Sequence, residues 1–449
     1  NAGIIQDNDV TNTGSGTNIV YRNSASIMRQ DYTLWSSPVV GQQLQAFSPM
    51  TLSTRFYTYN PGSDTYVAET ATNDFIEGKG YLIRVANNHP VTPTVWNGFF
   101  TGSELHNGDV DLAVTNGTYN AIGNPYASPI DADQFIADNS ITEPLYFWRK
   151  TNNPNQLTAP TSSYATYTTA GGAGTDPNPD DPLALEPNGV IQVGQGFIAQ
   201  AASSQLSFNN QQRIADTNDQ FLRLTAPERH RIWLDLYTST QNINQMMVAY
   251  MAGATQGVDA AIDGRFFKDT ETALNSVIAG EEFAIQGRAL PFVSTDVVPL
   301  TFKALNAGNY NIRLNHVDGL FLDGQDIFIK DNVTGAIHDI RTAPYTFATE
   351  AGTFDTRFEM VYDNQLAVTQ PLFNENAVVV YKQNQDIVVN SGNIQMGKVE
   401  VFDIRGRLIA QKQHINATEV RIDAGQTNQV LIVKVSSVDN ATVTKKVVN

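Results

Sequence analysis

The chain has 449 residues, a formal net charge of −17 from 28 Lys+Arg against 45 Asp+Glu, and no cysteine. No basic surplus is available to displace counterions from phosphates, which argues against a nucleic-acid partner. The missing thiols remove disulfides, cysteine-ligated zinc, iron–sulfur clusters and thiol catalysis together.

A length of this order implies about two to four domains. Only 16% of residues are charged, so uncharged Asn, Thr, Gln and Ser clothe the polar faces, as in many secreted β-proteins. No apolar run reaches the roughly 18 residues of a membrane span, so no transmembrane segment is expected. The opening at Asn1, without Met or a signal peptide, suggests a processed form or an excerpt of a longer precursor.

Strand signals dominate in chain order: "TLWSSPVV", "RFYTYN", "KGYLIRVA", "GFIAQAA", "RIWLDLYT", "QDIFIKD", "NAVVVYK", "KVEVFDI" and "VLIVKVS". Each is short, β-branched or aromatic, and bounded by Gly, Asn, Asp or Pro. Helical periodicity is scarce. "DADQFIAD", with Asp131 as its cap, and "TETALNSV" around Leu274 are the candidates. The predicted class is all-β: tandem antiparallel β-sandwich domains with a small C-terminal immunoglobulin-like sandwich.

Residues 1–215 read as a duplication, about 20–110 and 111–215. Tyr32 and Pro38 match Tyr119 and Pro125, the run from Arg55 to Tyr59 matches Leu145 to Trp148, and Gly78-Lys-Gly80 matches Gly194-Gln-Gly196. The offset grows from 87 residues at the prolines to 116 at the glycines, so the second copy carries an insertion of 29 residues. That insertion is read as the Pro-, Thr- and Gly-rich loop 151–189, too polar to pack. A third β-sandwich is expected over 216–366, and a last domain over 371–449 after a linker around Pro371. From Pro371 onward nine Lys+Arg face seven Asp+Glu, a slightly basic ending on an acidic chain.

Signatures of catalysis are missing: the sequence has no GxSxG, HExxH or GxxxxGK[ST]. His89, His106, His230, His316, His338 and His414 are scattered. The pairs Gly78/Gly80 and Gly194/Gly196 lack the third glycine and following helix of a dinucleotide site and read as turn glycines entering strands. Oxygen ligands for Ca²⁺ could come from Asp176, Asp180 and Asp181, from Asp259 and Asp263, or from Asp318, Asp323 and Asp326. None has EF-hand spacing, and Asp-Gly is equally a hairpin signal. No other cofactor is expected. Trp35, Trp96, Trp148 and Trp233 could stack on sugars, although their strand-like, apolar surroundings favour core packing. A carboxylate pair for glycoside hydrolysis would leave no spacing signature.

The ending carries a more specific pattern. The strand Val399 to Asp403, the turn Ile404-Arg-Gly-Arg-Leu-Ile409, the strand Val430 to Val435 and the final "TVTKKVVN" resemble the C-terminal sorting domains of Bacteroidota type IX secretion cargo. The usual Pro-Asn-Pro-like opening is replaced by "PLFNENAVVVYKQ". Upstream, "HRIWLDLYT", "AYMAGATQGVDAAIDGRFF", "FAIQGRALPFVSTDVVPLTF" and "YTFATEAGTFDTRFEMVY" resemble the region accompanying the type C variant of that signal in large flavobacterial surface proteins. The duplicated segment looks like the region just before it. The resemblance implies a non-enzymatic, secreted or cell-surface, adhesin-like protein that crosses the outer membrane. Its sorting residues would be Asp403, Gly406, Arg407, Leu408, Lys434, Lys445 and Lys446, and its partners the type IX translocon and outer-membrane shuttle, with a surface glycan or substratum as a further ligand. The alternatives are a carbohydrate-binding module or a fragment of a secreted polysaccharide-degrading enzyme.

Overall fold

A computed structural model describes residues 4–6, 8–10, 16–149, 163–174, 186–215, 228–239, 242–363, 373, 375, 377–425, 429–438 and 441–448. Across these the chain is all-β, with strands from Asn18–Ile27 to Thr442–Val448 and α-helices only at Leu44–Phe47 and Ala132–Asp138. Most pairings are antiparallel, whereas Met247 to Met251 run parallel to Ile285 to Ala289.

Two compact units are interleaved in sequence. One comprises Asn1–Arg231, Gln245–Thr270 and Phe283–Leu290; the other comprises Ile232–Asn244, Glu271–Glu282 and Pro291–Asn449. The consecutive order expected from sequence, with a boundary near 216, is therefore replaced by alternation. The alternation falls within the strands Asn242–Met251 and Glu281–Ala289, each of which has residues assigned to both units.

Within the first unit the two copies pass through the same strand order. Tyr32–Trp35, Tyr81–Arg84, Phe56–Asn60 and Thr65–Ala68 lie side by side in that order. So do Tyr119–Gly123, Gly196–Gln200, Leu145–Trp148, Tyr164–Thr168 and, as an extra edge, Gly171–Ala173. Register repeats too: Trp35 faces Tyr81 as Ile122 faces Phe197. Outside each sheet a two-stranded ribbon closes the copy, Asn18–Ile27 with Thr94–Gly102 and Val110–Ala113 with Gln205–Phe208.

The copies join reciprocally. Trp35 bridges to Gln195 and Lys79 to Ile122, while Ser36 N donates to Gly194 O at 3.0 Å and Gly123 N to Gly78 O at 2.9 Å. This exchange accounts for the GxG pairs. A Cβ on Gly80 would lie 2.7 Å from Ile122 O, and one on Gly196 2.7 Å from Leu34 Cγ and 3.0 Å from its carbonyl carbon. Backbones that approach this closely exclude any side chain.

The insertion departs from its reading as an unpacked loop. Tyr164–Thr168 and Gly171–Ala173 are strands with every residue buried, because the aromatic and β-branched residues of "YATYT" fit a sheet covered on both faces. Residues 150–162 and 175–185 lie outside the described residues.

Both helices come after the strand that ends their copy's sheet, Tyr32–Trp35 or Tyr119–Gly123. Asp131 caps the second, its Oδ1 accepting from Asp133 N at 2.8 Å and Gln134 N at 3.1 Å. Gln43 offers the first no side-chain cap. The helix expected around Leu274 is instead the strand Ala273–Ile278. That strand is antiparallel to Val297–Ala304 with all but one residue buried, so tertiary pairing overrides a local helical pattern.

In the second unit, Ala336–Asp339, Phe328–Asp331, Gly352–Val361, Val297–Ala304 and Ala273–Ile278 are neighbours in that order, and Arg229–Tyr237 pairs from Ile232 onward with Gly308–Val317, which pairs with Tyr345–Thr349. The C-terminal part is an immunoglobulin-like sandwich. Its three-stranded sheet is Val379–Gln383, Asp386–Asn390 and Glu419–Asp423; its four-stranded sheet is Leu408–Ala417, Met396–Asp403, Val430–Ser437 and Thr442–Val448. Alternating Val380, Val389, Val399, Val401, Leu431, Val433, Val435 and Val443 fill the core between them.

Candidate functional site

Three of the sorting-signal residues meet in one turn. Asp403 ends its strand, and its Oδ1 accepts from Arg405 N at 2.9 Å and Arg407 N at 3.0 Å, while Arg407 Nε donates to Oδ2 at 3.1 Å. Gly406 takes φ +81° at the apex, a conformation that favours glycine. The Arg407 and Arg405 amides hold the Asp403 carboxyl below its ordinary range. Leu408 opens the next strand at 44% exposure.

The lysines lie elsewhere on the sheet. Lys434 faces Glu400 and Thr444 across its strand, and Lys446 faces Ile432; these residues share the outer side. Lys445 sits opposite buried Val433, in phase with Val443 and Val447. The terminal pair is thus split between the two faces of an edge strand, because successive side chains alternate.

Of the candidate calcium residues, Asp259 and Asp263 are engaged in local hydrogen bonds. Asp263 accepts from Asp259 N and Gly287 N, each at 2.6 Å, and burial pushes it up to about 6. Asp259 Oδ1 accepts from Thr255 Oγ1 at 3.0 Å, and its other oxygen from Thr255 N. These carboxylates clamp a turn. Asp323 and Asp326 are exposed loop residues, and Asp318 precedes the short 3₁₀ turn Gly319–Phe321. Asp176, Asp180 and Asp181 lie outside the described residues. Among the described residues no three His, Asp or Glu side chains converge on a metal-sized site.

The histidines have local partners. His89 Nε2 contacts Ile27 O and Thr94 O, His106 pairs with Glu77 at 2.8 Å, and His316 stacks on Trp233 at 3.9 Å.

The four tryptophans separate by position. Trp35 is 5% exposed in a herringbone with Phe47, Trp96 and Phe100, and Trp233 is equally buried. Trp148 is half-buried at the rim of an open cavity of about 500 Å³, with Gln30, Tyr32, Arg55, Tyr57, Tyr66, Leu82 and Arg84. Strand alternation puts Tyr32, Leu82, Arg84, Arg55 and Tyr57 on one face of the first copy's sheet, opposite the face that carries Trp35, Phe56, Tyr81 and Ile83 into the core. Arg55 Nη1 donates to Tyr57 Oη at 3.1 Å, and Tyr164 Oη to Tyr66 Oη at 3.1 Å. Burial pushes the Tyr32, Tyr59 and Tyr66 phenols up, so they stay neutral at physiological pH. The arginines and tyrosines here escaped the sequence reading, although arginine inside aromatic strands such as "RFYTYN" and "KGYLIRVA" was the available signal.

Residues 1–362 match the model of the Domain of unknown function (DUF8693). The chain belongs to that family. Residues 366–449 match a second model, the Domain of unknown function (DUF8694). No curated protein matches the chain. Among solved structures, the spore cortex lytic enzyme SleM of Clostridium perfringens is similar at 13% identity over 22% of this chain and 35% of that one, with a TM-score of 0.13. A likeness this small carries no inference about fold or activity.

Proposed function

We propose that this chain is a non-catalytic protein of the cell surface or extracellular medium, exported across the outer membrane by type IX secretion. The C-terminal immunoglobulin-like module is the sorting signal, read by the outer-membrane shuttle and translocon. The repeated β-domains before it are the cargo, an adhesin stalk or the adhesive surface itself. The observation that carries this reading is the Asp403 turn, where the Arg-Gly-Arg of the motif is held by three hydrogen bonds to one carboxylate on a module with its own apolar core. A held turn presents a constant shape to a receptor, which lowers the ordering cost of recognition.

The test is export of the full chain, of a chain ending at Gln370 and of a Gly406→Val variant, each fused to a fluorescent protein in a type IX-competent bacterium. Surface or medium fluorescence that requires residues after Gln370, and falls in Gly406→Val, is expected. Equal export of the full and truncated chains would overturn the reading.

A further inference from the structure

The duplication supplies an internal control for the open cavity. Register aligns Tyr32 with Tyr119, Leu82 with Ile198 and Tyr57 with Tyr146. The ring pairs share a geometry: Tyr32 and Tyr57 are 5.9 Å apart at 63°, Tyr119 and Tyr146 5.9 Å apart at 74°.

Their surroundings differ. In the second copy Phe267, from the returning segment of the same unit, lies 5.5 Å from Tyr119, 4.6 Å from Tyr146 and 4.7 Å from Tyr164, and Tyr146 is fully buried. In the first copy no ring among the described residues covers Tyr32 and Tyr57, and the cavity opens there. The positions of Arg84 and Arg55 are taken in the second copy by Gln200 and Pro144. The covered face lacks both of these guanidiniums, and the charged pair beside it, Arg265 with Glu143 at 3.2 Å, is internally compensated.

Those guanidiniums are short of partners. Arg84 is 8% exposed, with Asn87 Oδ1 at 3.2 Å as its side-chain contact. Arg55 donates to Tyr57, and its buried Nε has no acceptor; neither has the buried Trp148 Nε1. No carboxylate among the described residues pairs with either arginine, in a chain with 45 Asp+Glu. Two guanidiniums therefore line the cleft beside tyrosines and an amide, and an anionic ligand would meet them with charge-assisted, bidentate bonds.

We propose that this cleft binds a sugar ring carrying an acidic group, a uronate or sulfate ester of an anionic polysaccharide. The ring takes the place that Phe267 fills in the second copy, its C–H face packing on Tyr57, Tyr66 and Trp148, while Arg55 and Arg84 hold the anion and Trp148 Nε1 donates to a hydroxyl. The volume lies within the range of pockets that enclose small ligands. A sugar is favoured over an acidic peptide because the cleft is lined by aromatic side chains, Tyr32, Tyr57, Tyr66 and Trp148, that suit the C–H face of a sugar ring. The inference stands apart from the export reading, since it concerns the folded chain in solution.

The test is isothermal titration of the full chain with hexagalacturonate and with a sulfated carrageenan hexasaccharide, against cellohexaose and poly-glutamate. Saturable binding of one anionic hexasaccharide is expected, weakened about tenfold or more by Arg55→Gln or Arg84→Gln and by Trp148→Ala, with thermal melts verifying the fold. The two anionic sugars distinguish carboxylate from sulfate. Should Arg84→Gln fail to fold, the half-buried Arg55 carries the test alone. Binding of neither anionic sugar, equal binding of cellohexaose, binding of poly-glutamate alone, or indifference to Arg55→Gln would each overturn the proposal.

Discussion

The two copies in the first unit are built on one plan and finished in opposite ways. Both run through the same four strands in the same register, and each lends a glycine to the other's strand end. The second copy adds a capped helix, an extra edge strand and the Phe267 cover. The first keeps a helix with no side-chain cap and leaves its tyrosine face open beside Arg55 and Arg84. Strand order and backbone junctions are common to both copies because every strand depends on them. A solvent-facing side of a sheet can diverge, since its residues touch few others.

The largest effect is expected at the shared junction. Gly80→Val and Gly196→Val should each destabilise toward the upper end of the about 1–3 kcal/mol typical of overpacking, because each new side chain meets the other copy's backbone. Equilibrium denaturant unfolding checks this. Tolerance at one glycine but not the other would break the reciprocity.

Phe267→Ala uncovers the second tyrosine pair and should cost about 2 kcal/mol, less than the roughly 3–5 of a fully buried phenylalanine, since Phe267 is half-buried. Tyr57→Ala on the open face should cost less in the same assay. A reversed order would mean that the first face is closed by something else.

Asp131→Ala should cost about 1 kcal/mol through the lost cap, whereas Gln43→Ala should leave the melting temperature nearly unchanged, as Gln43 makes no capping bond.

A last expected effect is a pH slope in the segment that carries the cover. Asp263 is raised by burial to about 6 from an ordinary 3.8, so the folded state holds its proton more tightly than the unfolded chain. The stability from this group is complete below about 3.8 and is lost as pH rises through about 6. Asp263→Asn should flatten that decline in melts between pH 4 and pH 7, and an unchanged slope would assign it to other groups.

Much of the fold was legible in local pattern. "KGYLIRVA" and "GFIAQAA" read as strands from β-branched and aromatic runs, and Asp131 read as a cap, because both signals act over a few residues. "TETALNSV" misled for the same reason: its local pattern suits a helix, but a buried place beside Val297–Ala304 made it a strand. "YATYT" was hidden in a polar insertion whose other residues masked its aromatic and β-branched content. In the C-terminal module the Asp403 turn was legible because its partners are two to four residues apart.

By itself the sequence determined the all-β class, the repeat and the glycines that punctuate it, since these follow from alternation, composition and spacing along the chain. Only the tertiary structure decided that Trp35 is core while Trp148 rims a cleft, that Lys445 and Lys446 face opposite ways, and that Arg55 and Arg84 stand together without a carboxylate. Each of these depends on which strands become neighbours. That choice is made by burying apolar surface between segments far apart in sequence, a free energy that no short stretch encodes alone.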